Sequence, residues 1–175
     1  MKAVLLACAA ATLAGCTPSF DGGPASASNA WSTDTEKAWT ALATSLPGRW
    51  TSTTASNKTI TVSYRLVSNG SALVETFTTA SGKETLSVYH RSGRELMLTH
   101  YCAQGNQARL KATEARDDRV VFDFLDATNV SDEQGVMHRL SFALRGDGFD
   151  QTSVYAKAKG ERDSTTLRFV RAAPE

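Results

Sequence analysis

From Arg49 to the end of the chain, hydrophobicity alternates with a period of two, and turn signals interrupt it about every ten residues. This alternation constrains the fold more than any other feature, because a chain with period-two runs and short gaps must build hairpins. The turn signals are SNG at 68–70, SG at 81–82, RSG at 91–93, QG at 104–105, RDD at 116–118, GDG at 146–148 and KGERD at 159–163. Between them lie runs rich in Thr, Val, Tyr and Phe. They predict about ten strands, near 49–55, 59–67, 72–79, 84–90, 95–102, 106–114, 119–125, 136–145, 149–157 and 165–171. Hairpins in series without long crossovers favour an all-β, up-and-down antiparallel barrel, which leaves no exposed sheet edge.

The turns also predict register. Asn69-Gly70 suits a two-residue type I′ turn, pairing Val67 with Ala72, Leu66 with Leu73, Tyr64 with Glu75 and Val62 with Phe77. A two-residue turn at Ser81-Gly82 would set Phe77 opposite Leu86. Three-residue turns ending in Gly93 and Gly105 would align Leu86 with Leu98 and Leu98 with Leu110. On this register one inner face carries Ile60, Val62, Tyr64, Leu66, Leu73, Glu75, Phe77, Leu86, Val88, Leu96, Leu98, His100 and Cys102.

Ahead of the strands, residues 31–46 read as one short amphipathic helix. Trp31, Trp39, Leu42 and Leu46 recur at helical spacing, Ser32 or Thr33 can cap the start, and Pro47-Gly48 ends it. Residues 16–30 are small, polar and rich in Pro and Gly, as expected of a flexible tether. Residues 1–15 combine Lys2 with an apolar run to Ala14 that is shorter than the roughly 20 residues a membrane-spanning helix needs. The ending Leu13-Ala14-Gly15-Cys16 resembles the bacterial lipobox. That resemblance implies a lipoprotein signal peptide at 1–15, lipidation of Cys16, and a lipid anchor in the bacterial cell envelope. Thr17 in place of Asp after the cysteine implies the outer membrane, facing the periplasm. With Cys8 removed and Cys16 lipidated, Cys102 has no disulfide partner. Lys+Arg total 19 against Asp+Glu 18, without a basic block, so nucleic acid is not an expected partner and membrane contact is expected through the anchor only.

Gly48-Arg49-Trp50 opens the first strand directly after the helix, and the last strand ends Leu167-Arg168-Phe169-Val170-Arg171. Helix, Gly-x-Trp, meander and terminal arginine, in that order, resemble the calycin superfamily, the lipocalins and their relatives, over roughly residues 44–172 of a single expected domain at 31–172. The resemblance implies that Trp50 closes the barrel base under an arginine of the last strand. Arg171 is the expected one because it shares a face with Leu167 and Phe169, and Arg168 is the alternative. Ten strands without a disulfide look more like the fatty-acid-binding or nitrobindin branches than like typical lipocalins.

His100, Cys102 and Asn106 are expected at the mouth of the barrel, and so is His138, from its even spacing with Leu140, Phe142 and Leu144. Residues 126–135 are a candidate lid, and His90 falls at the closed end. His100 and Cys102, two apart on a strand, stand about 7 Å apart, too far for direct activation of the thiol. The expected activity is binding rather than catalysis. A small, mainly hydrophobic ligand would be lined by Tyr64, Phe77, Leu98, Cys102 and Phe142, and oriented by Glu75, His100 and His138. No cofactor is expected. Two alternatives stand beside this reading: a packed barrel that meets an envelope protein partner, and a metal- or haem-binding barrel using His100, Cys102 and His138.

Overall fold

The computed structural model describes residues 33–157 and 160–173. The signal segment, Cys16, the tether, Trp31 and Ser32 lie outside the described residues. One helix, α1 (Thr33–Ser45), precedes ten strands: β1 (Gly48–Thr53), β2 (Thr59–Val67), β3 (Ala72–Thr78), β4 (Glu84–Ser92), β5 (Glu95–Tyr101), β6 (Gln107–Ala115), β7 (Arg119–Thr128), β8 (Val136–Arg145), β9 (Gly148–Ala156) and β10 (Arg162–Arg171). Each strand pairs antiparallel with its sequence neighbours, and β1 pairs with β10 to close the barrel. The chain is therefore the all-β, up-and-down barrel with a short leading helix that its periodicity predicts.

The helix closes one end, here called the base. Its stripe Ala38, Trp39, Leu42, with Leu46 just beyond, is buried against the barrel. Thr35 Oγ1 donates to the carbonyl of Arg94 in the β4–β5 turn at 2.6 Å, and Arg91 meets Glu36 at 2.8 Å while lying 5.3 Å from the Trp39 ring. The indole of Trp50 donates to the carbonyl of Leu46 at 2.7 Å. Above it the guanidinium carbon of Arg171 sits 3.9 Å from the ring centroid, and Nη1 donates to the carbonyl of Pro47 at 2.7 Å. Gly48 explains the motif's first position. A Cβ there would stand 2.1 Å from Arg171 Nη1, and the residue's φ of +128° is one that side chains avoid.

Register at β2–β3 matches the turn-based prediction: Val67 pairs with Ala72, Tyr64 with Glu75 and Val62 with Phe77, across a turn with Asn69 at φ 53° and Gly70 at φ 78°. β4 differs. Thr79 N donates to the carbonyl of Lys83 and Gly82 N to that of Thr79, so the loop holds three residues rather than two. Phe77 consequently pairs with Thr85, not Leu86. One residue of slip turns a strand over: Ser87 and Tyr89 are buried, while Leu86 is 38 % exposed. The next turn is the two-residue Gly93-Arg94, and the opposite error there restores β5, whose Leu96, Leu98 and His100 point inward. Leu66 keeps the inner-face parity, yet at the end of β2 it is 39 % exposed.

Between base and mouth, aromatic rings fill the barrel. Phe149 packs on Trp50, Tyr64, Phe142 and Phe169 with centroid distances of 5.1, 5.9, 5.9 and 5.1 Å. Tyr89 meets Phe122 and Phe142 at 5.6 and 6.0 Å. These edge-on and stacked contacts give the base half the density of a solid core.

Candidate functional site

Above the aromatic layer lies a group of buried polar side chains drawn from β2, β3, β4, β5 and β9. At its centre is Glu75, 3 % exposed. Tyr89 Oη donates to its Oε2 at 2.6 Å, Ser87 Oγ to its Oε1 at 3.0 Å, and Gln151 Nε2 to Oε2 at 3.3 Å. Gln151 Nε2 also lies 3.4 Å from Tyr64 Oη, and that hydroxyl too is hydrogen-bonded to the carboxylate. Burial raises the Glu75 pKa above the ordinary carboxylate range, while the bonds from Tyr89, Tyr64, Ser87 and Gln151 pull against it. The same burial, with the neighbouring carboxylate, pushes the hydroxyls of Tyr64 and Tyr89 well above theirs.

From Glu75 the bonds continue toward the mouth. Ser87 Oγ lies 3.0 Å from His100 Nδ1, and Tyr155 Oη lies 3.1 Å from His100 Nε2. With Glu75 ionised, Ser87 uses its one hydrogen on the carboxylate, so His100 Nδ1 must carry the ring proton and Nε2 must accept from Tyr155. Burial lowers the His100 pKa to about 4, so the ring is neutral at pH 7. The result is a continuous path, Tyr155–His100–Ser87–Glu75.

This path borders an inner chamber of about 100 Å³, lined on the polar side by Glu75, His100, Gln151 and Tyr155 and on the apolar side by Phe77, Met137, Leu140 and Leu167. Thr79, Thr85 and Tyr155 line it and also line an outer vestibule of about 460 Å³, which Cys102, Gln104, Lys83 and Lys157 border. A larger concavity of about 670 Å³ is an open groove between the outer face of α1 and Asp117, remote from these groups.

The residues expected to line a ligand site are thus divided. Glu75, Phe77 and His100 border the inner chamber, and Cys102 borders the vestibule. Leu98 and Phe142 are wholly buried in the packed core, and Tyr64 offers only its hydroxyl from below. They do not line the chamber, because aromatic rings fill the barrel beneath Glu75. His138 is not inward. Pairing of β8 with β9 slips between Met137 and Arg139, a bulge that turns Met137 into the barrel and leaves His138 stacked on Phe124 outside, with centroids 4.3 Å apart. Asn106 is fully buried, but its amide donates to the carbonyl of Gly135 at 3.2 Å and holds the 129–135 loop instead of facing the chamber. Gln134 Nε2 adds a bond to the carbonyl of Gln104 at 2.6 Å. Residues 126–128 of the candidate lid belong to β7.

His100, Cys102 and His138 therefore do not converge. Among the described residues no group of three His, Cys, Asp or Glu could hold a metal ion. Both ring nitrogens of His100 have protein partners. The residues present do not fit a three-ligand metal centre, and a chamber of about 100 Å³ does not fit a haem.

Ser87, Tyr89, Gln151 and Tyr155 were missed in the sequence. One signal could have found the first two. Thr54-Ala55-Ser56-Asn57-Lys58 and Thr79-Ala80-Ser81-Gly82-Lys83 share a pattern and the same hydrogen bonds, and Cys102 to Asn106 closes the same way. Reading Ser81-Gly82 by analogy with Gly105 would have turned β4 over.

No protein-family model matches the chain, and no curated protein matches it. Among solved structures it is similar to the crystal structure of Rv2717c from M. tuberculosis, with 15 % sequence identity and a TM-score of 0.50, over 76 % of this chain and 98 % of that one. At that identity the likeness shows the barrel fold and nothing of the chemistry.

Proposed function

We propose that this chain is a lipid-anchored, calycin-like barrel that binds a small, mainly apolar molecule in the bacterial cell envelope, without catalysis. The observation that carries this reading is the inner chamber, apolar on one side, with Glu75, His100, Gln151 and Tyr155 converging on the other and a vestibule beyond them. A few placed polar groups in an apolar concavity is the usual form of a small-molecule site. The calycin assignment is supported by Gly48 and Trp50 at the base under Arg171. The anchor and the outer-membrane location are supported by Leu13-Ala14-Gly15-Cys16 and Thr17.

Native mass spectrometry of the full chain purified from a bacterial envelope tests the reading. A co-purifying small molecule, lost on denaturation, is the expected result. A bare mass together with a captured envelope protein would favour the second reading, a packed interaction module. That reading has its own support: Tyr89, Phe122, Phe142, Phe149 and Phe169 fill much of the interior.

A further inference from the structure

We propose that the inner chamber takes the ammonium head of a small alkylamine, whose tail lies in the vestibule. This rests on the binding reading and names the chemistry of the ligand within it. The chamber presents one carboxylate, and among the described residues lining it there is no Arg or Lys. Every group hydrogen-bonded to Glu75, namely Tyr89, Tyr64, Ser87 and Gln151, is a neutral donor. His100, the nearest candidate cation, is neutral at pH 7. A buried carboxyl group met by neutral donors alone lacks the counter-charge that its ionised form needs.

Gln151 shows where a ligand enters the set. Its amide nitrogen is shared between Glu75 Oε2 at 3.3 Å and Tyr64 Oη at 3.4 Å, the longest contacts in the cluster, and its side chain borders the chamber. It is the donor most easily displaced. An ammonium brings three donors and the missing charge, and the hydroxyl-bearing Ser153 and Thr85 border the same space. A carboxylate head would meet Glu75 as a like charge. An alcohol brings a single donor and no charge. Size agrees: about 100 Å³ is the share of roughly three waters at ~30 Å³ each, enough for a head group, while the tail needs the vestibule.

Titration calorimetry of the full chain at pH 7.5 with octylamine, octanol and octanoate decides it. Octylamine is expected to bind at least tenfold more tightly than octanol, with octanoate weakest. Glu75→Gln should erase the advantage of the amine and leave octanol unchanged. If that variant does not fold, the unsubstituted chain provides a second readout. In a titration from pH 8 to 5, octylamine should weaken toward the acid end, the direction in which Glu75, its pKa raised by burial, gains a proton, and octanol should stay flat. The other titratable groups facing Glu75, Tyr64 and Tyr89 directly and His100 and Tyr155 along the path, stay neutral over that range. Octanol or octanoate binding as tightly as octylamine would overturn the proposal and keep the binding barrel. Failure of all three to bind would overturn the proposal, while the binding reading stands or falls on the co-purifying mass.

Discussion

The two halves of this barrel bury their side chains on different terms. At the base, Trp50, Phe142, Phe149 and Phe169 interlock, α1 covers them, and the polar groups present, the Trp50 indole and the Arg171 guanidinium, meet the carbonyls of Leu46 and Pro47. Toward the mouth, Glu75, Ser87, His100 and Gln151 are just as buried, yet they satisfy one another around an open chamber. Burying such groups costs free energy that hydrogen bonds only partly return. A base packed to solid density is what lets the other end keep room and polarity, so loss of stability should follow substitutions below Glu75, and loss of binding those above it.

The largest effect expected is from Phe149→Ala. Its ring touches four others, so urea unfolding should show a loss of about 3–5 kcal/mol, the usual range for a buried phenylalanine. A loss under about 1 kcal/mol would mean that the base is not the stabilising half.

Next is a pH effect at the mouth. The unfolded chain protonates His100 near pH 6.5, whereas the native ring resists until about pH 4. Between those values the unfolded state binds more protons, so stability falls as pH falls, by about 3 kcal/mol from this group. Glu75 works against it: its raised native pKa makes the folded state bind the proton first, which favours folding as pH falls toward the ordinary carboxylate range. His100→Gln removes only the first contribution. Its urea midpoint should therefore drop less between pH 7 and pH 4.5 than that of the unsubstituted chain, and an equal drop would show that the ring titrates freely.

Gly48→Ala should cost about 1–3 kcal/mol, since its Cβ would displace Arg171 from the Pro47 carbonyl. Ligand affinity should be unchanged, which thermal unfolding and calorimetry on one sample would check. The smallest effect is expected for His138→Ala. His138 stacks on Phe124 outside the barrel, so binding should match the unsubstituted chain within error, and a severalfold loss would restore it to the site.

Much of the fold is legible in local sequence. Alternation and turn spacing yield ten strands in a meander, and Asn69-Gly70 sets the β2–β3 register because both turn positions need left-handed backbone. The site is less so. Glu75 could be placed because the β2–β3 turn sets its register and His100 because two errors of turn length cancelled, whereas Ser87 and Tyr89 depended on whether one loop held two residues or three. His138 was misplaced by a bulge, whose one local sign is the adjacent apolar pair Val136-Met137, both buried, at the start of β8.

What the sequence determined alone is therefore the class of fold and the inward parity of β2 and β3, because each depends on period or turn chemistry, while the stacking of a terminal arginine on the base tryptophan was what the family resemblance implied. Tertiary structure alone decided which partners surround Glu75. Gln151 is 76 residues away from it, and Tyr155 is 55 residues from His100. Such contacts follow from closure of the barrel and from the sum of every loop length between them. A single residue added or removed in one loop exchanges one face of a strand for the other.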